Sequence, residues 1–341
     1  MNNWSVQKTV WDRIFSDKGR GLRLTNPSGT RLVITEPVMN LPNVQEHYDQ
    51  MLFEEYEFSA VSRLPAPLLY ASGQSKSRVS IVIDAGFSFT HVVPVVNQTI
   101  VSAGVRRIDI GGKMMTNYLK ELVSFRHLYM MDQTPSIEHM KHISCFVSSN
   151  YRKDLQRSHA RTFVLSDFVP TSSNKLGYLL PPGTTATTEE LTSENKQTSV
   201  ETMSIDRERI EIPELLFNPS VIGLNQTGIS EAVSQAIDSL PVHIQGMAWA
   251  NIQCIGGSTL FPGFKDRLLQ DLRSLAPPEY SVKVEIATDP ITAAAQAGST
   301  ATTQLPYVTK AQYAESGSQA SRKLFASLYT SNIDSLLSGP T

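Results

Sequence analysis

Apolar residues recur at helical spacing from the start of the chain. Trp4, Val10, Trp11, Ile14 and Phe15 stand among Lys8, Asp12 and Arg13, which predicts a helix over residues 4–16, closed by Gly19 and Gly21. Arg31 to Thr35 reads as a short buried strand. A second helix starts near Pro42, whose missing N–H suits a first helical turn, and runs through Met51 and Phe53. Pro65 and Pro67 interrupt the next segment before a helix-like Leu68-Leu69-Tyr70-Ala71, closed by Ser72-Gly73. Val79 to Asp84 is then a buried strand, Ala85-Gly86-Phe87-Ser88 a turn, and Phe89 to Val96 a returning strand: a β-hairpin. Further strands are expected over 100–105 and 107–110. Gly111-Gly112 opens a helix whose apolar side is Met114, Met115, Tyr118, Leu119 and Leu122. Another helix covers Ser136 to His142 and leads into Cys145-Phe146-Val147.

Residues 183–204 break the pattern. They are Thr, Ser and Glu with almost nothing apolar, so they cannot bury enough surface to offset the entropy of ordering, and a disordered insertion is expected. Order resumes at Arg209. Ser230 is an N-cap candidate for an amphipathic helix through Val233, Ala236, Ile237 and Leu240. Asn251 to Ile255 reads as a strand, 256–263 as a loop, Phe264 to Leu275 as a helix, Val282 to Ile286 as a strand, and Asp289-Pro290 as a helix start. The tail from Gln304 is polar, with a helix through Leu324, Phe325, Leu328 and Tyr329 that reads either as a docking helix for a partner or, as an amphipathic stripe usually does, as a cap on its own domain.

The chain has 341 residues, enough for about two domains. Its 30 Lys+Arg against 32 Asp+Glu give a net charge of −2, which excludes a strongly basic nucleic-acid binder and leaves room for a local basic patch. Two cysteines, Cys145 and Cys254, sit in apolar runs, so neither a disulfide framework nor a paired-cysteine zinc site is available, and a reducing compartment is expected. The first twenty residues lack a signal peptide's apolar centre, which argues against secretion. No window approaches the ~18 consecutive apolar residues of a membrane span.

Two glycine-bearing turns follow β-branched strands: Asp84-Ala85-Gly86-Phe87-Ser88 and Gly256-Gly257-Ser258. Glycine there lets backbone N–H groups approach an anion, and a neighbouring carboxylate can hold a hydrated Mg²⁺; the same pattern also serves as a plain turn. No Walker loop, GxSxG elbow, HExxH or EF-hand is present. His139 and His142 fall at i, i+3 without a third ligand and read as solvated side chains beside Lys141. His91 reads as a hydrogen-bonded structural residue, and Met114-Met115 as core packing.

Val82-Ile83-Asp84-Ala85-Gly86-Phe87-Ser88-Phe89-Thr90-His91-Val92-Val93-Pro94 resembles the second phosphate hairpin of the actin family, and Ile255-Gly256-Gly257-Ser258-Thr259-Leu260-Phe261-Pro262-Gly263 its adenosine loop. Arg107-Ile108-Asp109-Ile110-Gly111-Gly112-Lys113 resembles the strand and helix start that follow the hairpin. The resemblance implies an α/β, actin-like (ribonuclease H-like, duplicated) bilobal fold, N-terminally incomplete, because Asn3-Trp4 matches a point well inside the family pattern. On that frame, residues 1–76 are the remainder of a first lobe. Residues 77–110 and 246–308 form the large subdomain of the second lobe, 111–245 its outer subdomain with the insertion 183–204, and 309–341 return to the first lobe.

The resemblance also implies a nucleotide site for ATP or ADP with Mg²⁺. Asp84 would hold the metal through water, Gly86 would allow close approach, and Ser88, Phe89 and Thr90 would offer backbone to phosphates. Gly256, Gly257 and Ser258 would lie beside the α-phosphate and adenosine, Phe261 near the base, and Gly112 and Lys141 near the ribose. Phe87 stands where the family has a second carboxylate, His142 where it has a ribose-binding glutamate, and Leu64 where it has the glutamine that orients water. With those polar groups gone, in-line hydrolysis is not expected.

The spelling of the hairpin, with Pro213 to Ser220 and Asp289-Pro290-Ile291-Thr292, is most similar to the family's chromatin-remodelling branch. That likeness implies a noncatalytic scaffold in a complex that exchanges a variant histone into nucleosomes, nuclear and partly cytoplasmic. Its partners would be the remodelling ATPase's scaffold chain and a HIT-type zinc-finger subunit, with the nucleosome met indirectly and no membrane. Two other readings are an ATP-hydrolysing enzyme of the actin, sugar-kinase and heat-shock superfamily, which needs an intact first phosphate loop, and a filament-forming actin, which needs the outer subdomain of the first lobe.

Overall fold

The hairpin strand and the strand before the second glycine turn lie side by side in one sheet. The computed structural model describes residues 3–15, 21–74, 78–166, 176–181 and 201–331. Within them the strands, in chain order, are β1 (Arg31–Glu36), β2 (Ala60–Pro65), β3 (Val79–Ala85), β4 (Thr90–Val96), β5 (Thr99–Val101), β6 (Arg106–Ile108), β7 (Arg161–Val164), β8 (Tyr178–Leu179), β9 (Thr202–Ile205), β10 (Ile252–Ile255), β11 (Val284–Ile286), β12 (Val308–Thr309) and β13 (Tyr329–Thr330). The chain divides into two compact units. One holds Met1–Arg78, Val95–Ser102 and Thr292–Thr341, the other Val79–Pro94 and Ala103–Ile291.

In the first unit β2 is the middle strand of three, parallel to β1 and antiparallel to β12. Leu32 and Ile34 of β1 pack on a core of Trp11, Tyr48, Leu52, Phe53, Phe58, Val61, Val308 and Phe325. β1 was expected to be buried; it is half-exposed because it is an edge strand. The helix Trp4–Phe15 supplies Trp11 and Phe15 to this cluster. The helix Pro42–Gln50 begins on its proline and continues as a wider π-type turn over Met51–Glu55. Each buried aromatic or leucine here contributes about 1.5–3 kcal/mol through removal from water.

β2 is buried throughout, although it contains Ser62, Arg63 and Pro65. Arg63 is fully buried; its Nε lies 3.2 Å from Glu36 Oε2, and its Nη1 donates to Asp49 and, at 3.1 Å, to the Gln45 carbonyl. Phe325, from the helix Ser318–Ala326, lies 5.1 Å beneath the guanidinium. Arg63 Nη2 and Asp49 Oδ2 have no hydrogen-bond partner among the described residues, so it is the ion pairing with Glu36 and Asp49 that lets a cation occupy a central strand.

The helix Ala66–Gly73 packs on Ala293–Thr300 so closely that a Cβ on Gly73 would lie 2.7 Å from Ala297 Cβ. That packing draws residues 292–308, expected in the second lobe, into the first unit. The strand expected over 100–105 ends at Val101, and Ser102–Gly104 forms a 3-10 turn. Val95 and Val96 pair with β5, and β5 with β13.

In the second unit β11, β10 and β3 run parallel, β4 follows β3, and β6 pairs antiparallel with β4. A separate small sheet has the order β8-β7-β9. Residues 202–204, placed by composition in the disordered insertion, belong to β9, where Met203 and Ile205 alternate inward; residues 183–200 lie outside the described residues.

The helix Gly112–Arg126 buries Met115, Leu119 and Val123, while Met114 is partly exposed and is not core. Ser230 does not cap its helix: Gly228 holds the N-cap position, and the hydroxyl of Ser230, the second helical residue, donates to Asp271 at 3.3 Å. The helix expected from Asp289-Pro290 starts at Ala293. Among the described residues, no helix is long and apolar enough to cross a membrane. Cys145 and Cys254 are buried and unpaired, and burial pushes both thiols up to about 12.

Candidate functional site

Strand pairing sets the geometry of the site. β3 and β10 are parallel neighbours in register from Ile81–Ile252 to Asp84–Ile255, so both glycine bends leave the sheet at its C-terminal edge, where open α/β sheets bind ligands. Gly256 has φ +91°, and a Cβ there would lie 2.4 Å from the Ala85 carbonyl oxygen. Only glycine tolerates both the conformation and the contact. The Ser258 hydroxyl reaches the Gly86 carbonyl at 3.4 Å.

The start of the helix Gly112–Arg126 is clamped to the hairpin turn. Gly112 N–H donates to Gly86 O at 3.0 Å and Lys113 N–H to Phe87 O at 2.8 Å, and Gly111 is pressed so close that a Cβ would lie 2.6 Å from Phe87 O. The leading N–H groups of that helix therefore serve the turn and are not open to an anion. Gly86 N–H closes the turn on Phe89 O at 3.2 Å, and Gly256 N–H donates to Pro290 O at 2.8 Å. Among the described residues, no backbone carbonyl accepts from Phe87, Ser88, Gly257 or Ser258. Those amides are the donors left for a phosphate.

A cavity of about 600 Å³ lies between the bends. Of the residues predicted from the sequence, it is lined by Asp84, Gly86, Gly112, Lys141, Gly256, Gly257, Ser258 and Phe261. Ser88 and Phe89 stand outside the lining. Phe89 instead lies under the Arg107 guanidinium at 4.4 Å and against His91 at 4.6 Å. Thr90 is the correction: its backbone is in the β4 ladder opposite Ile108 and its hydroxyl donates to Ile110 O at 2.9 Å, so it has nothing left for a phosphate.

Burial pushes the Asp84 carboxyl up to about 6. Lys141 is 2% exposed and donates to Gly112 O at 3.1 Å and Thr116 Oγ1 at 2.8 Å. Burial lowers its pKa, and no carboxylate pairs with it among the described residues. His142 lines the cavity, lowered by burial and then by Lys141. Its neighbour His139 has no metal-ligand group around it: among the described residues, no cluster of three His, Cys, Asp or Glu could hold a metal ion. For Mg²⁺ the cavity offers two carboxylates, Asp84 beside the hairpin turn and Glu138 on the helix Thr134–Ser144. That fits an ion which keeps most of its waters and is held chiefly by substrate phosphates.

Glu138, Leu260 and Ile291 also line the cavity and were not singled out in the sequence. Glu138, Lys141 and His142 fall at i, i+3 and i+4 of the helix Thr134–Ser144, which is the signal that marks them as one face. Phe87 is 59% exposed at the lining, and Leu260 and Ile291 are also exposed, so one wall of the cavity is apolar. Leu64 lies in the first unit, buried within β2.

Two lobes' worth of α/β units, and glycine bends meeting at a strand edge, define the class of protein before any comparison. A family description reading Actin matches residues 1–325, and the chain belongs to the actin family. Its relatives carry the names actin-related protein 6 or actin-like protein ARP6. The Cryptococcus neoformans protein is 39% identical, covering 95% of this chain and 71% of its own length. The Drosophila melanogaster protein is 40% identical over 85% of this chain and 73% of its own. The Arabidopsis thaliana protein is 34% identical over 95% and 83%.

Proposed function

We propose that the chain is a noncatalytic, actin-fold scaffold subunit of a nuclear complex that exchanges a variant histone into nucleosomes, the role the resemblance to the remodelling branch implies. The observation that carries the noncatalytic half is the cavity wall. An apolar ring, Phe87, stands beside Asp84 where the family resemblance calls for a second carboxylate, and hydrolysis depends on polar groups that position water in line. ATP or ADP would sit in the cavity as a structural ligand. Its phosphates would meet the free amides at Phe87, Gly257 and Ser258, and Asp84 would hold Mg²⁺ through water. A bound ligand that prefers the folded state stabilises it by mass action, which is all such a scaffold requires of it.

The partners would be the remodelling ATPase's scaffold chain and the HIT-type zinc-finger subunit, with no filament formed. The test is reconstitution. Complexes assembled from purified subunits are expected to lose histone exchange when this chain is omitted and to regain it with either the wild type or Asp84→Asn. Exchange that proceeds undiminished without the chain contradicts the reading.

A further inference from the structure

The segment after Ser148 carries a second feature, remote in sequence from both glycine bends. Asn150 caps a short helix, Tyr151–Asp154, by accepting from Lys153 N–H at 3.2 Å, and Leu155, Gln156 and Arg157 follow as turns closed on the Tyr151, Lys153 and Asp154 carbonyls. Arg152 and Lys153 lie on the helix, and Gln156 and Arg157 on the turns after it. All four are exposed, while Tyr151, Asp154 and Leu155 are not. Arg157 is 60% exposed, against 18% for Asp154.

Of the described acids nearby, Asp154 and Asp206 are spent on the protein itself, and Glu211, close enough to act on Tyr151 and Arg207, is half-buried. Asp154 accepts from Ser148 Oγ at 2.6 Å and lies 3.8 Å from Arg157. Asp206 accepts from Ser158 Oγ at 3.4 Å and from His159 N–H. The exposed Arg207 follows it directly. A chain of net charge −2 thus turns several cations fully outward at one place, while Asp154, Asp206 and Glu211 beside them are half-buried.

We propose that this face binds the phosphodiester backbone of a nucleic acid directly. Its exposed residues, Ser149, Asn150, Arg152, Lys153, Gln156, Arg157 and Ser158, are the types that contact phosphates, and no apolar side chain stands among them. An acidic peptide would need an apolar anchor as well as charge to dock firmly, and this face has none. The contact reads charge, not sequence, so it positions the chain on a duplex without selecting a site. It does not depend on the nucleotide cavity or on the scaffold role.

The test uses the full-length purified chain and 30-base-pair DNA duplexes of two unrelated sequences. With three phosphate contacts the log–log salt slope should be about −2.7, an affinity loss of about 40-fold between 50 and 200 mM salt, equal for both duplexes. Arg152→Glu with Lys153→Glu and Arg157→Glu should abolish the binding, and the milder triple change to Gln should flatten the slope. Lys265→Glu with Lys323→Glu, exposed elsewhere, should leave the slope as it is. No DNA binding by the wild type at 50 mM salt overturns the proposal. So does unchanged binding by the folded triple variants.

Discussion

Ile255 stands directly across from Asp84 in the parallel ladder of β10 and β3. That register brings Gly256 against the Ala85 carbonyl and places two bends, about 170 residues apart in the chain, around one cavity. Shifting it by one residue would turn Cys254 and Ile255 to the opposite faces, so the buried run Ile252–Ile255 and the bend are specified together.

Gly256→Ala measures how tightly that junction is built. The substitution meets a carbonyl at 2.4 Å and a φ of +91°, and is expected to cost at least about 2 kcal/mol in urea unfolding. Gly223, at φ +77° with nothing within 4 Å, offers the conformational part alone, so Gly223→Ala should cost only about 1 kcal/mol. Equal costs would show that the contact with Ala85 does not constrain the bend.

The knot around Arg63 holds two carboxylates against one guanidinium. Removing the cation in Arg63→Met leaves Glu36 and Asp49 buried without it, and should cost about 3–5 kcal/mol. Burial pushes Asp49 up to about 6, so the folded chain keeps a proton there that an unfolded chain releases near 3.8. Its contribution is complete below about pH 3.8 and is lost as pH rises through 6. Asp49→Asn should therefore gain on the wild type by about 2 kcal/mol between pH 4 and pH 7, measured by unfolding at each pH. A constant difference across that range would contradict the assignment.

His91 has the opposite sign. Burial pushes its imidazole down to about 4, with Arg107 adding to the shift, so the folded protein keeps it neutral where the unfolded chain takes up a proton near 6.5. The stabilisation is present above pH 6.5 and is lost as pH falls towards 4. His91→Gln should flatten the acid-side loss of stability by about 2 kcal/mol between pH 7 and pH 4.5. An NMR titration showing an imidazole that protonates near 6.5 in the folded chain would refute it.

What could be read in advance follows from which interactions are local. The helices Trp4–Phe15 and Phe264–Leu275 and the strands β3 and β10 were legible because each apolar period or β-branched run is bounded on one side by a glycine. β2 was not. Its Pro65, with Pro67 after it, reads as a break, and only Glu36 and Asp49, brought in from β1 and the helix Pro42–Gln50, make a buried arginine tolerable. β9 was hidden for the converse reason: four residues, two of them polar, acquire their meaning from β7 alongside.

At the site, the glycine bends and Asp84 were visible by type and spacing, and Lys141 only through the family resemblance. Leu260 and Ile291 were not, because apolar residues announce a cavity wall only once the fold has left them uncovered. Thr90 was misjudged because a ladder position and a hydroxyl partner, Ile110, are tertiary facts.

The central claim is that this actin-family chain holds an assembly together without turning over nucleotide. Single-turnover ATP hydrolysis with Mg²⁺, on the purified chain and on the complex containing a catalytically dead remodelling ATPase, tests it most directly. The account predicts no phosphate release above the buffer rate in either sample. Release that disappears with Asp84→Asn would contradict it.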